Sequence, residues 1–357
     1  SPPYKRYGFE SMVYKDFRIE EDYDAFLARN QPEGAGGYNG TGVMHNDWTA
    51  RSWPLDESLH ATNWTVQESL KFLKRRDRSC PFFLVTSFVA PHPPLVPPPF
   101  YLERYLRTPL PHPAIGDWAT PPERTDTDVA SSRVNLQGEI LRSAQAGYFG
   151  MINHVDDQIR NLLNPEDFEL KQALKNTIVL FLSDHGEMLG DHYRWRKSLP
   201  YEGSAHIPFL LKAPDSFGLR QGAVDPTPVC IEDVMPTLLA MAGIPGPGSM
   251  DGENLLPLLQ EGKPLERNWL HLETAPTYHA GTDGKTKFIW FVENGEEQLF
   301  DLEKDPRETV NRIEDPEYQA TIREWRERLI QRLQDREEGF VHEGKLIPGR
   351  PYPSQRP

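Results

Sequence analysis

Side chains able to do chemistry crowd into one stretch. Asp184, His185, Glu187, Asp191, His192 and Lys197 fall within fourteen positions. Carboxylates and imidazoles are donors for a divalent cation, and an ammonium beside them can hold an anion. The run before them, Ile178 to Leu182, is apolar and β-branched and stops at Asp184 and His185. It reads as a buried parallel strand that delivers side chains at its carboxyl end, where open α/β sheets hold their ligands. His92 occupies a similar place. It sits in Ala90-Pro91-His92-Pro93-Pro94, after the apolar run Pro81 to Val89, in a loop that prolines make rigid. Parallel pairing of the two strands would bring His92, Asp184, His185 and Lys197 to one rim.

The elements that must position these residues follow from periodicity. Val66, Leu70 and Leu73 predict a helix over 64–76, and Leu136 to Leu162 keep helical spacing until Asn164-Pro165. A short helix to Leu174, a strand at Ile207 to Leu211, and a helix at Ile231 to Ala242 stopped by Gly243 come next. Strands alternating with helices predict a mainly parallel sheet covered on both faces. Past about residue 262, Trp269 to Glu273, Thr286 to Val292 and Glu297 to Leu302 read as short antiparallel strands, with Asn294-Gly295 as a hairpin signal. A last helix turns Ile322, Trp325, Leu329 and Leu333 inward. The expected organisation is an α/β domain over 1–260, an α+β subdomain over 261–338, and an extended tail over 339–357.

Composition bounds the partners. The 357 residues are 38% hydrophobic and 26% charged, close to a globular average, and no apolar run is long enough for a membrane span. A net charge of −14 argues against nucleic acid, which needs a basic face. Cys80 and Cys230 form neither a disulfide framework nor a zinc signature. Gly34 to Gly40 follows no strand and reads as a substrate-side loop rather than a nucleotide cradle. Asn39-Gly40-Thr41 and Asn63-Trp64-Thr65 are glycosylation sequons that matter only in a eukaryotic secretory host. The chain opens at Ser1-Pro2-Pro3 with no initiator Met or signal peptide, and reads as cut at its start.

The segment 177–212 resembles the metal- and sulfate-binding segment of the sulfatase family, in the alkaline-phosphatase-like superfamily. The resemblance extends to Phe82-Phe83-Leu84 through Pro94, Gly147-Tyr148-Phe149 through Ile159, Pro236-Thr237-Leu238-Leu239, and Gln298 through Pro306. It implies an α/β fold: an alkaline-phosphatase-like α/β/α sandwich with a smaller carboxyl-terminal domain on a four-stranded antiparallel sheet. It implies two metal ligands in Asp184 and His185, although Asn is the family's other choice at the second position. The metal it implies is Ca²⁺, with Mg²⁺ or Mn²⁺ as alternatives. Lys197 matches the lysine on the sulfate, and His92 the histidine near the leaving group.

His206 and His45 are weaker substrate-binding candidates, with Asp47 and Trp48 in the same segment as His45. Asp191, His192 and Glu187 are expected to brace the site loop, and Asp156 and Asp157 to hydrogen-bond from the long helix. The family's formylglycine nucleophile arises from a Cys/Ser-x-Pro-x-Arg motif that is absent here, as are its paired aspartates and Lys-x-His. All belong to a part expected upstream of residue 1, so the isolated chain is expected to show little turnover. The resemblance implies hydrolysis of a sulfated small molecule or carbohydrate, and favours a periplasmic or secreted setting. The competing readings are a phosphonate monoester or phosphodiester hydrolase of the same superfamily, and a non-catalytic binding chain.

Overall fold

The computed structural model describes residues 6–15, 22–122, 128–274 and 277–350. The expected cut at Ser1-Pro2-Pro3 and the tail beyond residue 350 lie outside the described residues. The chain divides into two units: Ser1–His112 with Pro122–Asn176, and Pro113–Pro121 with Thr177–Pro357. Among the described residues no helix is long and apolar enough to cross a membrane.

The first unit is helical. It contains α1 (Asp22–Asn30), α2 (Ala61–Arg75), α3 (Pro99–Arg107), α4 (Gly138–Leu163) and α5 (Phe168–Lys175). His60 caps α2, its Nδ1 accepting from the Thr62 amide at 3.1 Å, and Asp167 caps α5 by accepting from the Leu170 amide. Val66 and Leu73 of α2 pack with Leu162, Leu170 and Leu174, and Phe82, Leu84 and Phe88 lie against this cluster. The predicted strand at 82–89 is corrected here. Burial alternates along it, with Phe83 66% and Val85 58% exposed on the other side, and it pairs in no ladder among the described residues. Helices cover one face of the segment without satisfying strand hydrogen bonds.

In the second unit β1 (Val179–Leu182) and β2 (Phe209–Lys212) fall where strands were predicted. They pair antiparallel, from Val179 opposite Lys212 to Leu182 opposite Phe209. The parallel expectation fails for this pair because the connection over 183–208 carries no long helix, only a 3-10 turn at Asp191–Tyr193 and the four-residue helix α6 (Glu202–Ala205). A parallel crossover returns the chain to the opposite end, usually through a longer helix. Here the loop leaves and re-enters at one end. Beyond lie α7 (Val234–Met241), stopped at Gly243 with φ +67°, and α8 (Leu256–Glu261).

A four-stranded antiparallel sheet follows, ordered β3 (Leu270–Thr274), β4 (Tyr278–Thr282), β5 (Thr286–Phe291), β6 (Glu297–Asp301). Periodicity alone missed β4, whose Tyr-His-Ala-Gly-Thr lacks a β-branched core; the family resemblance had implied four strands. One face packs on α9 (Gln319–Leu333), joining Phe288, Trp290 and Leu299 to Ile322, Trp325, Leu329 and Leu333. Residues 339–350 form no extended tail: Phe340 is buried in this core, and β7 (Val341–His342) and β8 (Lys345–Leu346) make a hairpin.

The other face of the sheet holds the 183–208 loop. Met188 and Tyr201 pack on Tyr278, Ala280, Ile289 and Phe300, and Tyr201 donates to Gln298 Oε1 at 3.0 Å. Lys287, 1% exposed, reaches Glu202 Oε1 at 2.6 Å and Glu308 Oε1 at 2.7 Å. Glu308 Oε2 also accepts from the Glu202 amide at 2.7 Å. Burial works to raise the Glu202 carboxyl, but the His206 hydrogen bond at 2.7 Å and the Lys287 charge outweigh it and hold it down to about 2.

Three outcomes follow. Trp325→Ala should destabilise by about 3–5 kcal/mol through a core cavity, read by urea denaturation. Lys287→Met leaves two carboxylates uncompensated and should cost about 3–5 kcal/mol, part of which a Lys287→Met, Glu308→Gln double variant recovers. His206 is raised above 6.5 chiefly by its bond to Glu202. Its contribution is therefore present below pH 6.5 and lost as pH rises through its folded-state value. The Tm gap between the protein and His206→Gln should be widest between pH 4.5 and 6.5, and close above it.

Candidate active site

The loop that begins at Ser183 is built from close backbone contacts. Ser183 Oγ donates to the His185 carbonyl at 2.6 Å, and the His185 amide to Asp184 Oδ1 at 3.1 Å. Gly186 donates to the Ser204 carbonyl at 2.8 Å. A Cβ on Gly186 would sit 2.2 Å from the Gly203 carbonyl oxygen, so this crossing excludes any side chain. Further on, the Met188 amide bonds the Arg196 carbonyl and the Gly190 amide the Arg194 carbonyl.

Glu187 braces this turn by accepting from the Leu189 and Arg196 amides. Asp191 Oδ1 accepts from the Ala114 amide at 2.7 Å and Arg307 at 3.0 Å, and His192 Nδ1 accepts from the Gly116 amide at 3.1 Å. Both residues are braces, as their positions suggested. Leu189, His192, Tyr193, Arg196 and Ser198 all hold positive φ, between +48° and +70°. Backbone strain of this kind concentrates at functional sites.

Asp184, His185 and Lys197 come together on this scaffold. Asp184 is exposed, and its Oδ2 lies 3.7 Å from His185 Nε2. His185 Nδ1 donates to the Gly186 carbonyl at 2.8 Å, which orients the ring with Nε2 toward Asp184. Lys197 has its affinity for a proton lowered by burial, against the opposing charges of Glu187 and Asp184. Burial likewise raises Glu187, with Lys197 and His185 among the groups that oppose it. These four therefore share one electrostatic neighbourhood.

The pair Asp184 and His185 fits part of a divalent-cation site. Two ligands at about 2.4 Å from Ca²⁺, at a right angle, lie roughly 3.4 Å apart. His206 serves Glu202, as described above.

His92 and His45 belong to the first unit. His92 Nδ1 donates to the Pro93 carbonyl at 2.7 Å, which fixes the orientation of its ring. The His45 ring stacks on it, centroids 4.9 Å apart and planes 21° from parallel. Asp47 and Trp48, from the same segment, are buried, and Asp47 accepts from the Thr49 amide. Asp157 accepts from the Tyr101 hydroxyl at 3.1 Å. The Lys287–Glu202–Glu308 brace escaped sequence reading because Lys287 reads as the polar start of an apolar strand, and its partners lie 85 and 21 residues away.

The chain is similar to known proteins over most of its length. A sulfatase family profile matches residues 3–244, and a profile for the carboxyl-terminal part of N-sulphoglucosamine sulphohydrolase matches 190–335. An arylsulfatase of Clostridium perfringens is 43% identical over 87% of this chain, which spans 65% of that relative. Among solved structures, the phosphonate monoester hydrolase of Agrobacterium radiobacter has a TM-score of 0.71 at 23% identity, covering 92% of this chain and 73% of that one. A protein solved with its substrate D-glucosamine-2-N,6-O-disulfate has a TM-score of 0.62 at 23% identity, covering 77% and 69%. These likenesses carry the alkaline-phosphatase-like α/β fold with its carboxyl-terminal antiparallel sheet. The chain belongs to the sulfatase family.

Proposed function

We propose that the protein hydrolyses sulfate esters, with Asp184, His185 and Lys197 in its active site. The observation that carries this is the grouping beyond β1 in a chain of this family: an exposed carboxylate, an imidazole whose Nε2 lies 3.7 Å from it, and a half-buried ammonium in their field. Sulfate monoesters resist hydrolysis because their oxygens repel nucleophiles and the alkoxide leaves poorly. A site must hold the non-bridging oxygens with positive charge and protonate the leaving oxygen.

Asp184 and His185 would hold a divalent cation, Ca²⁺ by family resemblance, which when bound polarises a sulfate oxygen as a Lewis acid. Lys197 holds a second sulfate oxygen. Its lowered proton affinity makes it a better acid toward the leaving oxygen. His92 is assigned to the leaving group by the resemblance, with its ring orientation held by Pro93.

In the family the attacking oxygen at sulfur comes from formylglycine hydrate. Neither cysteine here sits in the Cys-x-Pro-x-Arg pattern, and the Cys230 thiol is pushed up to about 12 by burial and by Asp233, which suits no nucleophile. A sulfated sugar is the substrate class favoured by the disulfated glucosamine bound in the solved structure.

The test is hydrolysis of 4-nitrophenyl sulfate by the protein as its host produces it. Lys197→Ala should lower kcat/KM by about 10²–10³-fold, the range for loss of one group that stabilises transition-state charge. Asp184→Asn should require more Ca²⁺ for the same rate. Unchanged kcat/KM in Lys197→Ala sinks the assignment. Faster turnover of a phosphonate monoester than of the sulfate would move it to the related hydrolases, and turnover of neither would favour a binding chain.

A further inference from the structure

The four-stranded sheet sets three metal donors on one face at its edge. His271 and Glu273 are two apart on β3, so both side chains leave the same face. Glu273 stands opposite His279 of β4, and His271 opposite Gly281, two positions further along. His271 Nε2 lies 3.2 Å from His279 Nδ1, and Glu273 Oε2 lies 3.3 Å from the same nitrogen. All three donor atoms fall within 4.8 Å of one another. The imidazoles stack, centroids 5.3 Å apart and planes 11° from parallel. Among the described residues no other three His, Cys, Asp or Glu side chains converge this closely.

We infer that His271, Glu273 and His279 form a cation site distinct from Asp184 and His185, suited to a first-row divalent ion of the Zn²⁺ class. Two imidazole nitrogens and one carboxylate favour Zn²⁺ over the oxygen-seeking Ca²⁺ and Mg²⁺. Bonds of about 2.0–2.1 Å at tetrahedral angles put neighbouring donors roughly 3.3–3.4 Å apart, and the two separations around His279 Nδ1 match.

His279 is 1% exposed, and its Nε2 is buried with no hydrogen-bond partner among the described residues. Hydrogen bonds within the trio therefore satisfy one of its nitrogens only, whereas a bond from Nδ1 to a cation gives this buried ring a stronger partner. Arg336 Nη1 stands 3.1 Å from Glu273 Oε2 and opposes a cation there. The same guanidinium is also held by Glu338 at 2.8 Å, and a carboxylate has lone pairs for both an arginine and a metal. Glu273 is exposed and His271 half-buried, so water can complete the tetrahedron. A bound ion would clip the edge strand β3 to β4.

The experiment strips the full chain with chelator and titrates it with Co²⁺, which in a tetrahedral nitrogen and oxygen set absorbs in the visible; elemental analysis gives the stoichiometry. The expected result is uptake with visible bands, displaced by Zn²⁺ and retained in Asp184→Asn. His271→Asn and Glu273→Gln, both at partly exposed positions, should each weaken it by more than the roughly 10–100-fold cost of losing an outer-shell partner. A Zn²⁺-dependent rise in Tm, also retained in Asp184→Asn, gives a readout that needs no ligand variant. No Co²⁺ uptake with no Zn²⁺ effect on Tm overturns the site and leaves a hydrogen-bonded trio. Uptake unaltered by both ligand variants, or abolished by Asp184→Asn, overturns it as well.

Discussion

A lysine ammonium removed from water must have anions around it, and much of the second unit is arranged to meet that demand. Lys287 lies on the inner strand β5 with its charge sealed inside, so Glu202 from the site loop and Glu308 from beyond β6 must come to it. Desolvating such a group is expensive, and only close, well-directed partners recover the loss. The result is less a gain in stability than a restriction on geometry. Glu202 opens α6, and Gly203 and Ser204 beside it support Gly186, the residue after His185. A charge buried under the sheet thus limits where the residues following β1 can sit.

The backbone of the loop bears the other side of this restriction. Five residues without glycine's freedom adopt left-handed conformations between Leu189 and Ser198. Glu187, Asp191 and His192 hold them by accepting backbone N–H bonds. Side chains that turn inward to serve amides leave Asp184 facing solvent, while Lys197 stays half-buried. Rigidity of this kind positions charges ahead of binding rather than after it.

Sequence reading succeeded where one period or one motif decided the outcome. Ile322, Trp325, Leu329 and Leu333 were named as the inner face of the last helix, and all four are buried there. The strands β1 and β2 were placed to within two residues, because short apolar runs bounded by polar residues leave few options. Their direction was misread, since periodicity says nothing about which way the chain returns. Phe82 to Val89 reads as a buried sheet strand because a continuous apolar run shows that the segment is covered, not what covers it. Lys287 was invisible for a related reason: a lysine at the start of an apolar run reads as solvent-facing, and only partners far along the chain reverse that. The cluster of Asp184, His185 and Lys197 was legible because its members are close in sequence and fall in a family pattern.

Residues 113–121 deserve a last consequence. They precede α4 and α5 in the chain, yet they are part of the second unit, where Ala114 and Gly116 supply the amides that Asp191 and His192 accept, and Trp118 donates to the Glu308 carbonyl at 2.8 Å. During synthesis this segment leaves the ribosome some 70 residues before the loop it holds. Both α4 and α5 are made in between. A polypeptide begun at Thr177 would contain every strand of the second unit and still lack the clamp on its own site loop. The two units are separable as clusters of contacts but not as lengths of gene.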